Sequence, residues 1–154
     1  MEIYAMPGHL IRRLHQISTG LFMDRMASAG LTLTPVQFAA LSALHENPGI
    51  DQATVAGLVA YDRATMGKVI DRLQARELVR RTTSPTDRRA KHLSLTPAGL
   101  ALYEQALPHV LAAQPEILGG LDTEERETLV RLLDKATLAA NRHSRAPLKR
   151  PDTT

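Results

Sequence analysis

The chain has 154 residues, 44% of them apolar, 23% charged and only 3% aromatic, with a net charge of +3. This describes one globular domain, or one with a helical extension, whose core must come from Leu, Ala, Val, Ile and Met. No run approaches the ~18 apolar residues of a membrane span. The lack of Cys excludes disulfides, thiolate zinc sites, a Cys nucleophile and thiol redox sensing.

The opening MEIYAMPGH lacks the basic-then-apolar pattern of a signal peptide, so a cytoplasmic location is expected. Gly8 to about Ala29 reads as the first helix, with Leu10, Leu14, Ile17, Leu21 and Phe22 on one face and Gly30 as its C-cap. Thr34-Pro35-Val36-Gln37 starts the second, by cap, N1 proline and capping box, and Asn47-Pro48-Gly49 ends it. Asp51 caps a short third helix to Leu58 or Val59, and Asp62 caps a fourth to about Glu77. Two short helices joined by so tight a turn resemble a helix-turn-helix.

Val79–Thr83 and Ala90–Leu95 read as two strands of a hairpin around Ser84-Pro85-Thr86-Asp87. Thr96-Pro97 opens a fifth helix, to about Ala113, bent at Pro108 and ended near Pro115. Asp122 caps a sixth, to about Asn141, and a basic tail expected to be flexible follows. The sixth helix's Leu129, Leu132, Leu133 and Leu138, like the apolar face of the first helix, need partners, which a second copy of the chain would supply.

Charge is unevenly placed. Asp62–His92 holds nine Lys/Arg against four Asp/Glu, whereas Asp122–Lys135 holds five acids against three bases. A local basic patch points to a polyanion. On the fourth helix Met66, Val69, Ile70 and Leu73 share the face that should bury; Ala64, Lys68, Asp71 and Ala75 lie opposite, with Thr65 and Arg72 alongside. Small residues allow close approach to a major groove, and Thr, Lys or Arg reach phosphates and base edges. An ordinary amphipathic surface helix would show the same wheel. The hairpin shifts the balance: Val79, Leu93 and Leu95 anchor it, and its tip presents Arg88 and Arg89, suited to a narrow minor groove. Asp87 is placed to hold the Arg89 guanidinium in a fork.

These features, with DRRAKHLSLTPAG behind VIDRLQARELV, resemble the MarR family of bacterial transcriptional regulators over about Pro7–Asn141. The resemblance implies a mainly α fold: a winged helix-turn-helix with long N- and C-terminal dimerisation helices and a two-stranded wing. It divides the chain into an N-terminal dimerisation helix (1–33), a DNA-binding region (34–96), C-terminal dimerisation helices (97–141) and the flexible basic tail (142–154). It implies an obligate homodimer on double-stranded operator DNA, with the fourth helix as recognition helix, Arg89 as the minor-groove arginine and Asp87 orienting it. The expected DNA-binding set is Asp62, Arg63, Ala64, Thr65, Lys68, Arg72, Asp87, Arg88, Arg89 and Lys91. Glu77 departs from the family, many members of which have Gly there; Glu disfavours a left-handed backbone.

Family members commonly release DNA on binding a small aromatic acid. On the first helix His9, Arg13 and Gln16 share a face where an Arg can grip a carboxylate in bidentate fashion, so they are the expected ligand residues. PGHLIRRLHQI with PGIDQATVAGLVAYDRATMGKVIDRL is similar to members that control degradation of nicotinate-type acids. No cofactor is expected, and the six His show no paired metal-ligand spacing. Nucleophile-elbow, phosphate-loop and zinc-protease motifs are absent, so an enzyme is not expected. The alternative is a winged-helix architectural or interaction module that binds DNA non-specifically.

Overall fold

The computed structural model describes residues 2–150. Its helices are α1 (Pro7–Ser28), α2 (Pro35–Glu46), α3 (Gln52–Leu58), α4 (Arg63–Ala75), α5 (Pro97–Ile117) and α6 (Thr123–Ala139). Between α4 and α5 lies an antiparallel hairpin, β1 (Val79–Thr83) and β2 (Lys91–Leu95), which pairs Val79 with Leu95 and Thr83 with Lys91. Ile50, just before α3, bridges to Leu93 and pins the helix-turn-helix to the hairpin's base. The architecture is the expected mainly α winged helix-turn-helix.

The helix starts follow local chemistry. Thr34 and Gln37 form a reciprocal capping box, as do Asp122 and Glu125. Asp51 accepts from the Thr54 N–H at 2.7 Å and Asp62 from the Thr65 N–H at 2.8 Å. Thr96 does two jobs. Its hydroxyl accepts from the Gly99 N–H at 3.0 Å, capping α5, and donates to the Glu77 carbonyl at 2.6 Å. One side chain thus fixes α5 to the entry of the wing.

The core is aliphatic where the helix-turn-helix meets the wing: Leu41, Leu44, Val55, Met66, Ile70, Leu73, Val79 and Leu93 are fully buried. Each such side chain contributes about 1.5–3 kcal/mol. Where α1, α2 and α5 meet, the few aromatics gather instead. Phe38 stacks on Tyr103 with ring centres 5.5 Å apart, and Phe22 and His45 flank the pair. An Arg25–Glu116 ion pair adds to the α1–α5 junction.

Three expectations need correction. α5 does not stop at Ala113 but continues through Pro115 to Ile117. A proline in the last turn forfeits a single backbone bond, which the continuing helix tolerates. α4 stops at Ala75, short of Glu77, through a reciprocal C-terminal closure. The Glu77 N–H reaches the Gln74 carbonyl at 2.9 Å and the Leu78 N–H reaches Leu73 at 2.9 Å. This closure needs a left-handed residue, and Glu77 supplies it at φ +58°. Glu77→Gly is therefore expected to stabilise the fold by about 1 kcal/mol. A melting temperature that fails to rise would show that Glu77 carries no strain.

The third correction concerns the tail. Residues 142–150, expected to be flexible, lie against the body. Both ends of the Asn141 amide hold the Leu148 backbone, at 2.9 and 2.8 Å. The Lys149 N–H donates to the Gly57 carbonyl at 2.8 Å. Leu148 sits in a groove with Phe38, Ala43, Leu58 and Val59, and Arg150 pairs with Asp134 at 2.7 Å. The reason is that the end of α3 offers a carbonyl with room for a further donor and an apolar groove to fill. Residues 151–154 of the expected tail lie outside the described residues.

Candidate nucleic-acid interface

α3 presents α4 through the turn Val59–Asp62, in which Ala60 takes φ +55°. The buried face of α4 is the expected one: Met66, Val69, Ile70 and Leu73. Arg63, Ala64, Lys68 and Arg72 are exposed. Asp62 accepts both the backbone N–H and the hydroxyl of Thr65, the latter at 2.7 Å. These bonds, the backbone one first, hold its carboxyl below the usual carboxylate range. The Thr65 hydroxyl is committed to the cap, so these two residues shape the start of α4, where helix N-terminal N–H groups favour phosphate.

The wing tip is closed by its own backbone. Ser84 is buried and its N–H donates to the Ala90 carbonyl at 3.0 Å. The expected Asp87 fork on the Arg89 guanidinium does not form. Asp87 Oδ1 instead accepts from the Arg89 backbone N–H at 2.9 Å, because a side chain two residues back reaches the amide before the guanidinium. Arg88 and Arg89 are left exposed, and Lys91 donates to Thr83 Oγ1 at 3.1 Å.

Arg63 of α4 and Arg89 and Lys91 of the wing converge on one recess of about 490 Å³, with Asp51 and Gln52 at the start of α3. A fourth cation, Arg81, completes it. Sequence reasoning missed Arg81. Its guanidinium contacts Asp71 of α4 and Gln52 of α3, each at 2.9 Å. The signal was available: in β1, Arg81 shares the face of buried Val79, where a cation demands a polar partner. Arg72 stands apart. It faces α1 and the α1–α2 connection, lining with Arg76 a cleft of about 710 Å³ walled by Met23, Met26, Leu31 and Leu33.

The expected ligand residues are exposed or half-exposed on the first turns of α1 and line none of the clefts described. Arg12, not Arg13, joins His9 and Gln16, at 3.3 and 3.1 Å. Three- and four-residue spacing on a helix favours that grouping. Among the described residues no group of three potential metal ligands occurs, and no helix is long and apolar enough to cross a membrane.

A model of the MarR family matches residues 30–90. The HTH-type transcriptional repressor NicR of Pseudomonas putida is 34% identical over 128 residues, 83% of this chain and 80% of the relative. Among solved structures, one of Bordetella bronchiseptica BpsR superposes with a TM-score of 0.83 at 34% identity, covering 89% of this chain and 96% of that one. It is described as the mechanism for regulation of DNA binding by 6-hydroxynicotinic acid. The repressor CouR, bound to a 23-mer DNA duplex, superposes with a TM-score of 0.79 at 31% identity, covering 90% of this chain and 95% of that one.

Proposed function

Because this chain belongs to the MarR family, and so is a transcriptional regulator and not an enzyme, we propose that it is a cytoplasmic, homodimeric repressor of double-stranded operator DNA, released by a small aromatic acid. Residues 34–96 make the DNA contact, and residues 1–33 and 97–141 make the subunit contact. The observation that carries the reading is the cationic recess: Arg63, Arg81, Arg89 and Lys91 bring the start of α4 and the wing to one polyanion surface. The expected DNA-binding set is kept, with Arg81 added.

Support for a dimer comes from α6. Among the described residues it packs against the short turn that follows it and meets the tail through the Arg150–Asp134 pair, and Leu132 and Leu138 are 48% and 44% exposed. Leu10 and Ile17 of α1 are similarly bare, at 46% and 47%. A second copy covers these faces and sets two α4 helices about 34 Å apart, one turn of DNA. The acid is a nicotinate-type carboxylate, as for the BpsR relative. It is held by His9, Arg13 and Gln16, joined by Arg12, once the second subunit closes over α1. A second reading places it in the cleft with Arg72 and Arg76, which one subunit already walls with apolar side chains.

Fluorescence anisotropy at physiological salt tests this. Duplexes from upstream of the protein's own gene should bind far more tightly than a scrambled control, and nicotinate, hydroxynicotinate or salicylate should reverse binding. Equal binding to both duplexes would establish the non-specific module instead. Loss of response in Arg12→Ala and Arg13→Ala with DNA affinity kept locates the acid on α1; loss only in Arg76→Ala locates it in the cleft.

A further inference from the structure

We propose that the docked C-terminal segment belongs to the DNA interface, with Arg145 and Lys149 contacting backbone phosphates beside the recognition helix. The proposal rests on the DNA-binding reading above and extends it to residues outside the winged unit.

The docking is specific. The two Asn141–Leu148 hydrogen bonds close a loop, and the Lys149 N–H seals it onto Gly57. The Lys149 side chain lies flat on Gly57; a Cβ there would come within 3.1 Å of it. A larger residue at position 57 would make the Lys149 side chain shift.

The place matters as much as the fixing. Lys149 and Arg150 line a recess of about 360 Å³ with Asp51, Thr54 and Arg63. Asp51 and Arg63 also line the wing recess. The two recesses therefore share a wall, and one cationic track runs from Arg89 and Lys91 through Arg81 and Arg63 to Lys149. Arg145 extends it, lying near enough to Asp62 to add to the lowering of that carboxyl. Asp51 and Asp62, both helix caps, lie on this stretch, as does Asp71 through its pair with Arg81.

The other tail cations are engaged. Arg150 pairs with Asp134, and the Arg142 Nε–H donates to His143 at 3.2 Å. Arg145 and Lys149 are exposed and make no ion pair among the described residues. Exposed, unpaired cations held in place beside a helix N-terminus are what a phosphate backbone selects.

The test is the salt dependence of DNA affinity, measured with the full chain on the upstream and scrambled duplexes. Each phosphate contact adds about 0.9 to the slope of log affinity against log salt. The Arg145→Ala/Lys149→Ala double variant removes four contacts per dimer, two from each subunit, and should make the slope shallower by roughly 3.6 on both duplexes. An Asn141→Ala/Leu148→Ser variant keeps both charges but removes the docking, and should lose a similar amount. An unchanged slope in the first variant overturns the proposal. A reduced slope in the first with a parental slope in the second also overturns it, since the tail would then act as an undocked basic arm. Equal affinity of the parent for both duplexes would defeat the repressor reading alone, because phosphate contacts still report on the scrambled duplex.

Discussion

Gly99→Ala is expected to lower stability by about 3 kcal/mol, at the upper end of overpacking costs. A Cβ at position 99 would lie 1.9 Å from the Leu78 carbonyl oxygen and 2.9 Å from its carbon. The obstacle is backbone, so no side-chain rotation relieves it. That carbonyl also accepts the Thr96 N–H at 3.1 Å, so its retreat would strip the start of α5 from the entry of the wing. Leu78 and Val79 flank the contact and are buried, which leaves the strand little room. Thermal unfolding followed by circular dichroism should show a fall of roughly 6–12 °C. A fall under about 2 °C would mean that the α5–wing junction yields easily and is not the rigid joint described.

Arg89→Ala is the second large effect expected. Operator affinity should drop about tenfold to a hundredfold, or roughly 1–3 kcal/mol, with no change in melting temperature. The geometry separates the two readouts. Asp87 braces the turn through the Arg89 backbone N–H, which alanine retains. Among the described residues the guanidinium makes no hydrogen bond or ion pair, so its loss should be felt by the DNA and not by the fold. Sequence preference in the A·T-rich flanks should weaken too, because a narrow minor groove is what an inserted Arg reads. Unchanged affinity at physiological salt would remove Arg89 from the interface and leave the recess to Arg63, Arg81 and Lys91.

What could be read from the sequence was local. Thr34, Asp51, Asp62, Thr96 and Asp122 each cap a helix as expected, because a cap needs only its own next three residues. The α4 face and the inward-facing hairpin residues Val79 and Leu93 follow from periods of 3.6 and 2. What escaped depends on distant partners. Arg81 meets Asp71 and Gln52 through the fold alone. The Asn141–Leu148 closure is short-range, but its docking onto Gly57 joins positions more than eighty residues apart. Asp87 failed differently. Its partner residue was right, but the bond goes to the main chain, and composition cannot rank a nearby amide against a long side chain. Glu77 is ill-suited to a left-handed backbone, and it adopts one because the α4 closure requires it.

The contacts of Arg81, Thr96 and Gly99 have a mechanical meaning. Strand, recognition helix and the first turn of α5 are joined at three separate points, which ties the parts of the winged unit to one another. Under the proposed dimer, an effector changes the span between two rigid reading heads and leaves the shape of each alone. An operator with altered half-site spacing should then be able to imitate, or cancel, the effect of the acid.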